Sequence, residues 1–439
     1  MDIFLWLLLT VAIIVWLTIK FQLHPFLGLL FGALFIGFVG GLTPDNLVNA
    51  LANGFGNTLR SIGIVIAAGA IIGEYLHNSG GARVLANKIL ETVGEKHAPL
   101  AISLTGYIVS IPVFCDSGFI VLSALNKAIA RRVNISLAVL AVALASGLYA
   151  THVFVPPTPG PLAAAATLGA DIGWVMLLGL FVSIPVMLVA LLWASKACKN
   201  YVINFEYHAS ETQSNSIAPS FTLAVLPIFV PIVLIGLKSI AQLPSRPLGE
   251  DGLFALLAFI GDPIIALLFG ATLSFLMVRT GKKIQHLWLE DALKKAGLII
   301  LITGAGGAFG AVLRETDLGE FASRFVNLGA FGILIPFIIA AFLKTAQGSS
   351  TVAIITTAAL MAPLMSTLGF ESSLGKALVV LVIGAGSITV SHVNDSYFWV
   401  VAKFSEMDTA TALKTHTVAS FLMGMTGLIV IQILALLFM

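Results

Sequence analysis

Residues 106–125 read GYIVSIPVFCDSGFIVLSAL, an apolar run interrupted at Pro112-Val-Phe-Cys-Asp-Ser-Gly118. A second run, AFLKTAQGSSTVAIITTAAL at 341–360, is interrupted at Lys344-Thr-Ala-Gln-Gly-Ser-Ser-Thr351. They lie within longer apolar regions, 98–130 and 329–368. A helix needs about 20 apolar residues to cross a hydrocarbon core about 30 Å thick. Each region therefore reads as two full spans or as one re-entrant hairpin. The hairpin is favoured, because non-helical backbone at membrane depth is tolerated where protein or a water-filled cavity surrounds it.

Outward from these runs, apolar stretches of spanning length occur at 3–19, 25–41, 59–77, 135–154, 173–195, 220–240, 253–278, 296–313, 375–392 and 412–438. Of 439 residues, 58% are hydrophobic and 10% charged. A soluble domain carries about 25% charged residues, so lipid must be the solvent for most of this surface. The fold class is an all-α polytopic membrane protein. The N-terminal apolar run lacks a positive leader and reads as a retained span ending at Lys20. A net charge of +2 without a basic tract argues against nucleic acid. The two cysteines, Cys115 and Cys198, suggest neither a disulfide framework nor a metal site. No GxxxxGK loop occurs, and no cofactor is expected.

Two spans run into further breaks, at His152-Val-Phe-Val-Pro-Pro-Thr-Pro-Gly-Pro161 and Ser391-His-Val-Asn-Asp-Ser396. The clustered prolines cannot continue a helix, since each removes an N–H donor and clashes with the preceding turn. Both halves thus follow one order: three spans, a hairpin, a broken helix and a final span. Gly69, Gly73 and Leu76 mirror Gly306, Gly310 and Leu313, and Thr151-His152-Val153 mirrors Ser391-His392-Val393. The expected repeats are 1–198 and 220–439, joined by a polar cytoplasmic linker at 199–219. Five spans per half is an odd number, so the second repeat is inverted. Of 23 Lys and Arg residues, one side receives all but Arg60, Lys238, Arg246, Arg314, Arg324, Lys376 and the intrahairpin Lys344. That side is cytoplasmic by the positive-inside rule, and both termini are periplasmic. Segments 43–58 and 81–95 read as short surface helices, and Gly261-Asp262-Pro263 as a kink or cap.

Charges at membrane depth cost about 2.5–3.5 kcal/mol each on insertion scales, which singles out Asp116, Lys344 and Asp395. An ion pair or cap that only holds a break is the plainer alternative for each. Ser117-Gly118 and Gln347-Gly348-Ser349-Ser350-Thr351 open the second arms of the hairpins, where unpaired N–H groups attract a carboxylate. Close helix packing would also explain the small residues. Asn394 and Ser396 add polar groups at the second break, and Thr158 adds one at the first. His152 and His392 hold equivalent sequence positions. With Asp116 and Asp395 they are the candidates to carry a coupling proton, while Lys344 is the candidate partner of a carboxylate.

Gly106–Phe119, His152–Pro161, Gly304–Phe309, Gln347–Ala353 and Asp395–Trp399 resemble the gluconate permease family, and the resemblance covers nearly the whole chain. It implies proton-coupled uptake of gluconate or a related small hydroxylated carboxylate across a bacterial-type cytoplasmic membrane. Some members instead carry D-serine. The resemblance also extends to dimeric, elevator-type carriers with two hairpins, which implies a homodimer. The chain has Asp116 where many relatives carry Glu, and Thr158 where several carry His, so the particular acid stays open. A sodium-coupled carboxylate carrier is the alternative. An intramembrane enzyme is disfavoured because the polar groups are duplicated rather than complementary.

Overall fold

The computed structural model describes residues 3–21, 23–201, 203, 218–241, 252–278, 281–316, 332–393 and 395–438. Asn394, Arg246, Arg324 and most of the 199–219 linker lie outside the described residues. Those described form helices joined by turns, without a strand. In order they are α1 (Ile3–Lys20), α2 (Pro25–Val39), α3 (Pro44–Asn78), α4 (Gly81–Val93), α5 (Ala98–Val109), α6 (Cys115–Arg132), α7 (Leu137–Phe154), α8 (Pro159–Leu168) and α9 (Ile172–Ala197). The second half contributes α10 (Phe221–Ala241), α11 (Gly252–Ile260), α12 (Pro263–Phe275), α13 (Lys282–Arg314), α14 (Leu334–Gln347), α15 (Ser350–Met361), α16 (Ser373–Ile388), α17 (Ser396–Phe404), α18 (Thr409–Ala412) and α19 (Val418–Phe438).

Local chemistry sets the breaks. Thr43 accepts from the Asn46 amide at 3.3 Å, and Pro44 follows at the first helical position of α3. Asp262 caps α12 in the same way, and the chain bends there by 62°. Gly348 closes α14 at φ +73°, a left-handed conformation that glycine adopts without a Cβ penalty. The arms α5 and α15 each have 12 residues. At 1.5 Å per residue they are about 18 Å long, well short of a bilayer crossing. Six of the described helices are long and apolar enough to span a membrane, or seven if the bent pair α11–α12 counts as one.

Some sequence expectations change. Segment 43–58 is not a separate surface helix; it continues without interruption into 59–77 as the 35-residue α3. No breaker intervenes, and Gly54 lies at a close contact, where a Cβ would stand 2.5 Å from Ala311. Likewise, 296–313 is the second part of the 33-residue α13. Span 253–278 divides at its kink, and span 375–392 ends as helix at Ile388. At Ser391 the backbone amide instead donates to the Ser420 hydroxyl at 3.0 Å.

Helices α3 and α13 lie antiparallel. Gly54 of α3 meets Gly307, Ala308 and Ala311 near the end of α13. At the opposite end Glu74 pairs with Lys295 at 2.5 Å, and Tyr75 donates to the Gln285 carbonyl at 2.9 Å. The packing repeats around this pair. Helix α2 packs on α13 as α12 packs on α3, and α5 packs on α7 as α14 packs on α16. Helix α8 packs on α15, and α17 on α6, so each hairpin touches the broken helix of the other half.

All residues of α7 are buried. Its alanines and Gly147 let backbones approach closely where no water drives association. Any side chain at Gly147 would overlap the Ser103 carbonyl. Gly147→Val should therefore destabilise the protein by about 1–3 kcal/mol or more. Thermal unfolding in detergent should show a clearly lowered midpoint; an unchanged midpoint would contradict this packing.

Candidate functional site

The structure brings the second hairpin and second broken helix together at one ion pair. Lys344, in the last turn of α14, is fully buried, and its Nζ lies 2.6 Å from Oδ2 of Asp395. Asp395 caps α17: its Oδ1 accepts from the Tyr397 amide at 3.1 Å. Its Oδ2 also accepts from the Ser391 hydroxyl at 2.5 Å. The Ser391 hydroxyl lies 3.2 Å from Nε2 of His416. Thr417 donates to the Ser391 carbonyl at 2.5 Å, so the loop before α17 is tied to the last span. His416 and Thr417 sit in a π turn, Leu413–Thr417. Such turns recur at functional sites.

A second link joins the two halves of the chain. The Tyr149 and Ser350 hydroxyls lie 2.5 Å apart, and Ser350 donates to the Ser387 carbonyl at 3.0 Å. A serine hydroxyl has one proton, so Tyr149 is the donor to Ser350. The Tyr149 ring stands 5.8 Å from Lys344 Nζ and 4.9 Å from the Tyr397 ring, giving the ammonium an aromatic wall. Tyr397 in turn donates to the Ala145 carbonyl at 3.1 Å.

Polar atoms without protein partners gather around this framework. Asp116 Oδ1, His152 Nδ1 and Gln347 Oε1 are buried without a hydrogen bond. Lys344 Nζ also makes no aligned hydrogen bond, although Asp395 lies within ion-pair distance. Asp116 lies within electrostatic reach of both Asp395 and Lys344, as does His152. Buried polar groups in folded proteins are nearly always paired, so this concentration marks a place suited to a polar ligand.

The remaining expected residues divide. Thr158 is buried and donates to the Val155 carbonyl at 2.6 Å, bracing the proline break. Ser349 caps α15, accepting from the Val352 amide at 3.3 Å, while Thr351 is half-buried. Gly118 packs against Leu148, where a Cβ would stand 2.6 Å from a methyl. Ser117 is half-buried, and Ser396 is exposed. His392 lies in the non-helical break, half-buried and without a side-chain hydrogen bond or ion pair to described residues. Its position therefore differs from that of His152, which is buried within α7. The buried histidine beside Asp395 is His416. Sequence reading also passed over Tyr149, Ser391 and Tyr397. The polar run Lys414-Thr-His-Thr417 inside an apolar span was an available signal for His416.

Paired charges held on broken helices inside a lipid-facing bundle define a solute carrier. Comparison with known proteins agrees: the chain belongs to the GntP permease family, whose model matches residues 2–437. A gluconate permease of Pseudomonas aeruginosa is 33% identical over 443 residues, covering 98% of this chain and 96% of that one. The inner membrane permease YgbN of Escherichia coli is 34% identical over 441 residues, covering 96% and 95% respectively. Among solved structures, Neisseria gonorrhoeae MtrF matches with a TM-score of 0.70 at 17% identity, covering 95% of this chain and 96% of that one. That likeness is one of fold. The chain is a multi-pass membrane permease and not an enzyme.

Removing one member of a buried pair leaves the other charge uncompensated, at about 3–5 kcal/mol. Lys344→Met should lower stability by that order in detergent unfolding. Lys344→Met combined with Asp395→Leu should recover most of the loss. Additive losses in the double variant would show that the two charges are not coupled.

Proposed function

We propose that this permease is a secondary active carrier of the bacterial inner membrane that takes up gluconate or a related small hydroxylated carboxylate together with a proton. The observation carrying this reading is the set of buried polar atoms without hydrogen-bond partners on Asp116, His152 and Gln347, close to the buried Lys344–Asp395 ion pair. They come from both halves of the chain, and Asp116 and His152 lie within electrostatic reach of the Lys344 ammonium. A substrate carboxylate can pair with Lys344 in place of Asp395, while hydroxyls find Gln347 and the Ser349–Thr351 segment. The Pseudomonas relative named for gluconate supports this class of substrate.

Charge balance suggests the coupling step. One ammonium, Lys344, faces Asp395 directly and Asp116 at longer range. An arriving carboxylate adds a further negative charge. Protonation of a displaced Asp395, or of Asp116, offsets the charge the substrate brings and lowers the cost of carrying the loaded site past lipid. His152 is placed to relay that proton; His392, at the edge of the break, is less favoured than His416.

The antiparallel α3–α13 pair and the repeated packing support two inverted repeats on either side of the 199–219 linker, and the Lys/Arg asymmetry of the sequence supports periplasmic termini. In this reading the hairpins and broken helices move as a unit against α1–α3 and α10–α13. Two chains would join through that scaffold.

Reconstitution in proteoliposomes tests the reading. An imposed proton gradient should drive gluconate accumulation without sodium, and Asp116→Asn should reduce accumulation about tenfold or more. A sodium requirement would overturn proton coupling. No uptake across a panel of sugar acids would overturn the substrate class.

A further inference from the structure

A cavity apart from the Lys344–Asp395 pair opens elsewhere in the fold, and neither residue lines it. It has a volume of about 440 Å³ and lies between α3, the end of α8 and the end of α13. Asn46, Asn49, Asn53 and Asn57 form a stripe of amides along one face of α3, at helical spacings that bring them into line. Arg314 faces them from α13 and donates to the Thr167 carbonyl at 2.7 Å, using one of the five donors of a guanidinium. Thr167 also lines the cavity, and its hydroxyl is buried without a partner. Glu315 adds a carboxylate at the exposed rim.

The repeat explains why this cavity is open. The register that sets Gly69 and Gly73 on Gly306 and Gly310 also sets Ala70, Glu74 and His77 on Gly307, Ala311 and Arg314. Gly307, Gly310, Ala311 and Arg314 line the large cavity. Their counterparts Ala70, Gly73, Glu74 and His77 line a second cavity of about 10 Å³. Lys295 belongs to the small cavity, and its counterpart Thr58 to the large one. Along their α3 and α13 walls the two spaces are therefore equivalent places at opposite ends of the pair, completed by Pro112, Val113, Phe114 and Ser117 in the small one and by Ala166 and Thr167 in the large one. One end is drawn shut by the Glu74–Lys295 ion pair at 2.5 Å. At the other end Ala311 and Thr58 occupy the corresponding positions, and neither can form an ion pair.

We propose that the large cavity is a binding vestibule for a hydroxylated carboxylate, with Arg314 holding the carboxylate and the asparagine stripe receiving hydroxyls. Ligand held there sits on the open side of the access route, before transfer to the hairpins. This rests on the carrier reading above and adds a second, earlier site to it. An arginine fork matches a carboxylate bidentately, and amides on successive helical turns match hydroxyls along an extended polyol. A volume of about 440 Å³ falls within the range of small-molecule pockets.

The test is the kinetics of gluconate uptake by the full-length protein in proteoliposomes. Losing a charge-assisted contact should raise KM about tenfold or more in Arg314→Gln, with Vmax held at saturating substrate, and Arg314→Lys should recover part of the shift. Asn53→Asp, which places a carboxylate on the stripe that Arg314 faces, should also raise KM, by competing for the guanidinium and repelling the ligand carboxylate. Wild-type uptake with unchanged KM in Arg314→Gln and Asn53→Asp overturns the vestibule and leaves the carrier reading standing. A fall in Vmax at unchanged KM assigns Arg314 a structural role and likewise overturns it. Absence of uptake by the wild-type protein overturns the carrier reading, and the vestibule with it.

Discussion

A lysine ammonium sealed from solvent beside a sealed aspartate constrains this whole site. Neither charge can be left alone in an apolar interior, so the hairpin that carries Lys344 and the helix that starts at Asp395 must meet. Their meeting requires the loop before α17 to be anchored, which Ser391, Thr417 and Ser420 achieve through backbone and hydroxyl bonds. It also requires the chain to stop being helical at two places inside the bundle. Lipid tolerates that only because α7 and its neighbours enclose the breaks.

The same elements relate stability to transport. A pair held only by mutual attraction can be exchanged for a substrate carboxylate, whereas one locked by a full set of hydrogen bonds would resist exchange. Asp395 is bound by Ser391 and by its own helix terminus, while Lys344 has little beyond the carboxylate and the Tyr149 ring. The lysine is therefore the freer partner. The antiparallel α3–α13 pair supplies the other asymmetry, with an ion pair at one end and small neutral residues at the other.

Much of the architecture was legible in the chain. Hydrophobic runs longer than a bilayer thickness and prolines such as Pro156, Pro157, Pro159 and Pro161 leave few choices for where helices form and stop. Charges such as Asp116, Lys344 and Asp395 stood out because the surrounding composition makes each one costly. Other members did not stand out, for physical reasons. Tyr149 resembles any packing aromatic until Ser350 is seen against it, and Ser391 differs from other serines only through Asp395 and His416. His392 looked equivalent to His152 because three residues match, but helical geometry at one site and its loss at the other put the rings in different surroundings. The length of α3 was hidden by its change from a polar to an apolar face, which reads as a boundary although the backbone continues.

Sequence by itself determined the solvent in which this chain folds, the order of its main apolar segments, and most of the positions where the helices fail. Local rules suffice for these: apolar length, the missing N–H of proline, and the penalty on a buried charge act within a few turns. Only the tertiary structure decided which charge meets which, that His416 and not His392 stands beside Asp395, and that one end of the α3–α13 pair is open while its counterpart is shut. Those outcomes depend on contacts between segments tens to hundreds of residues apart, and such distances are set by packing, not by any pattern along the chain.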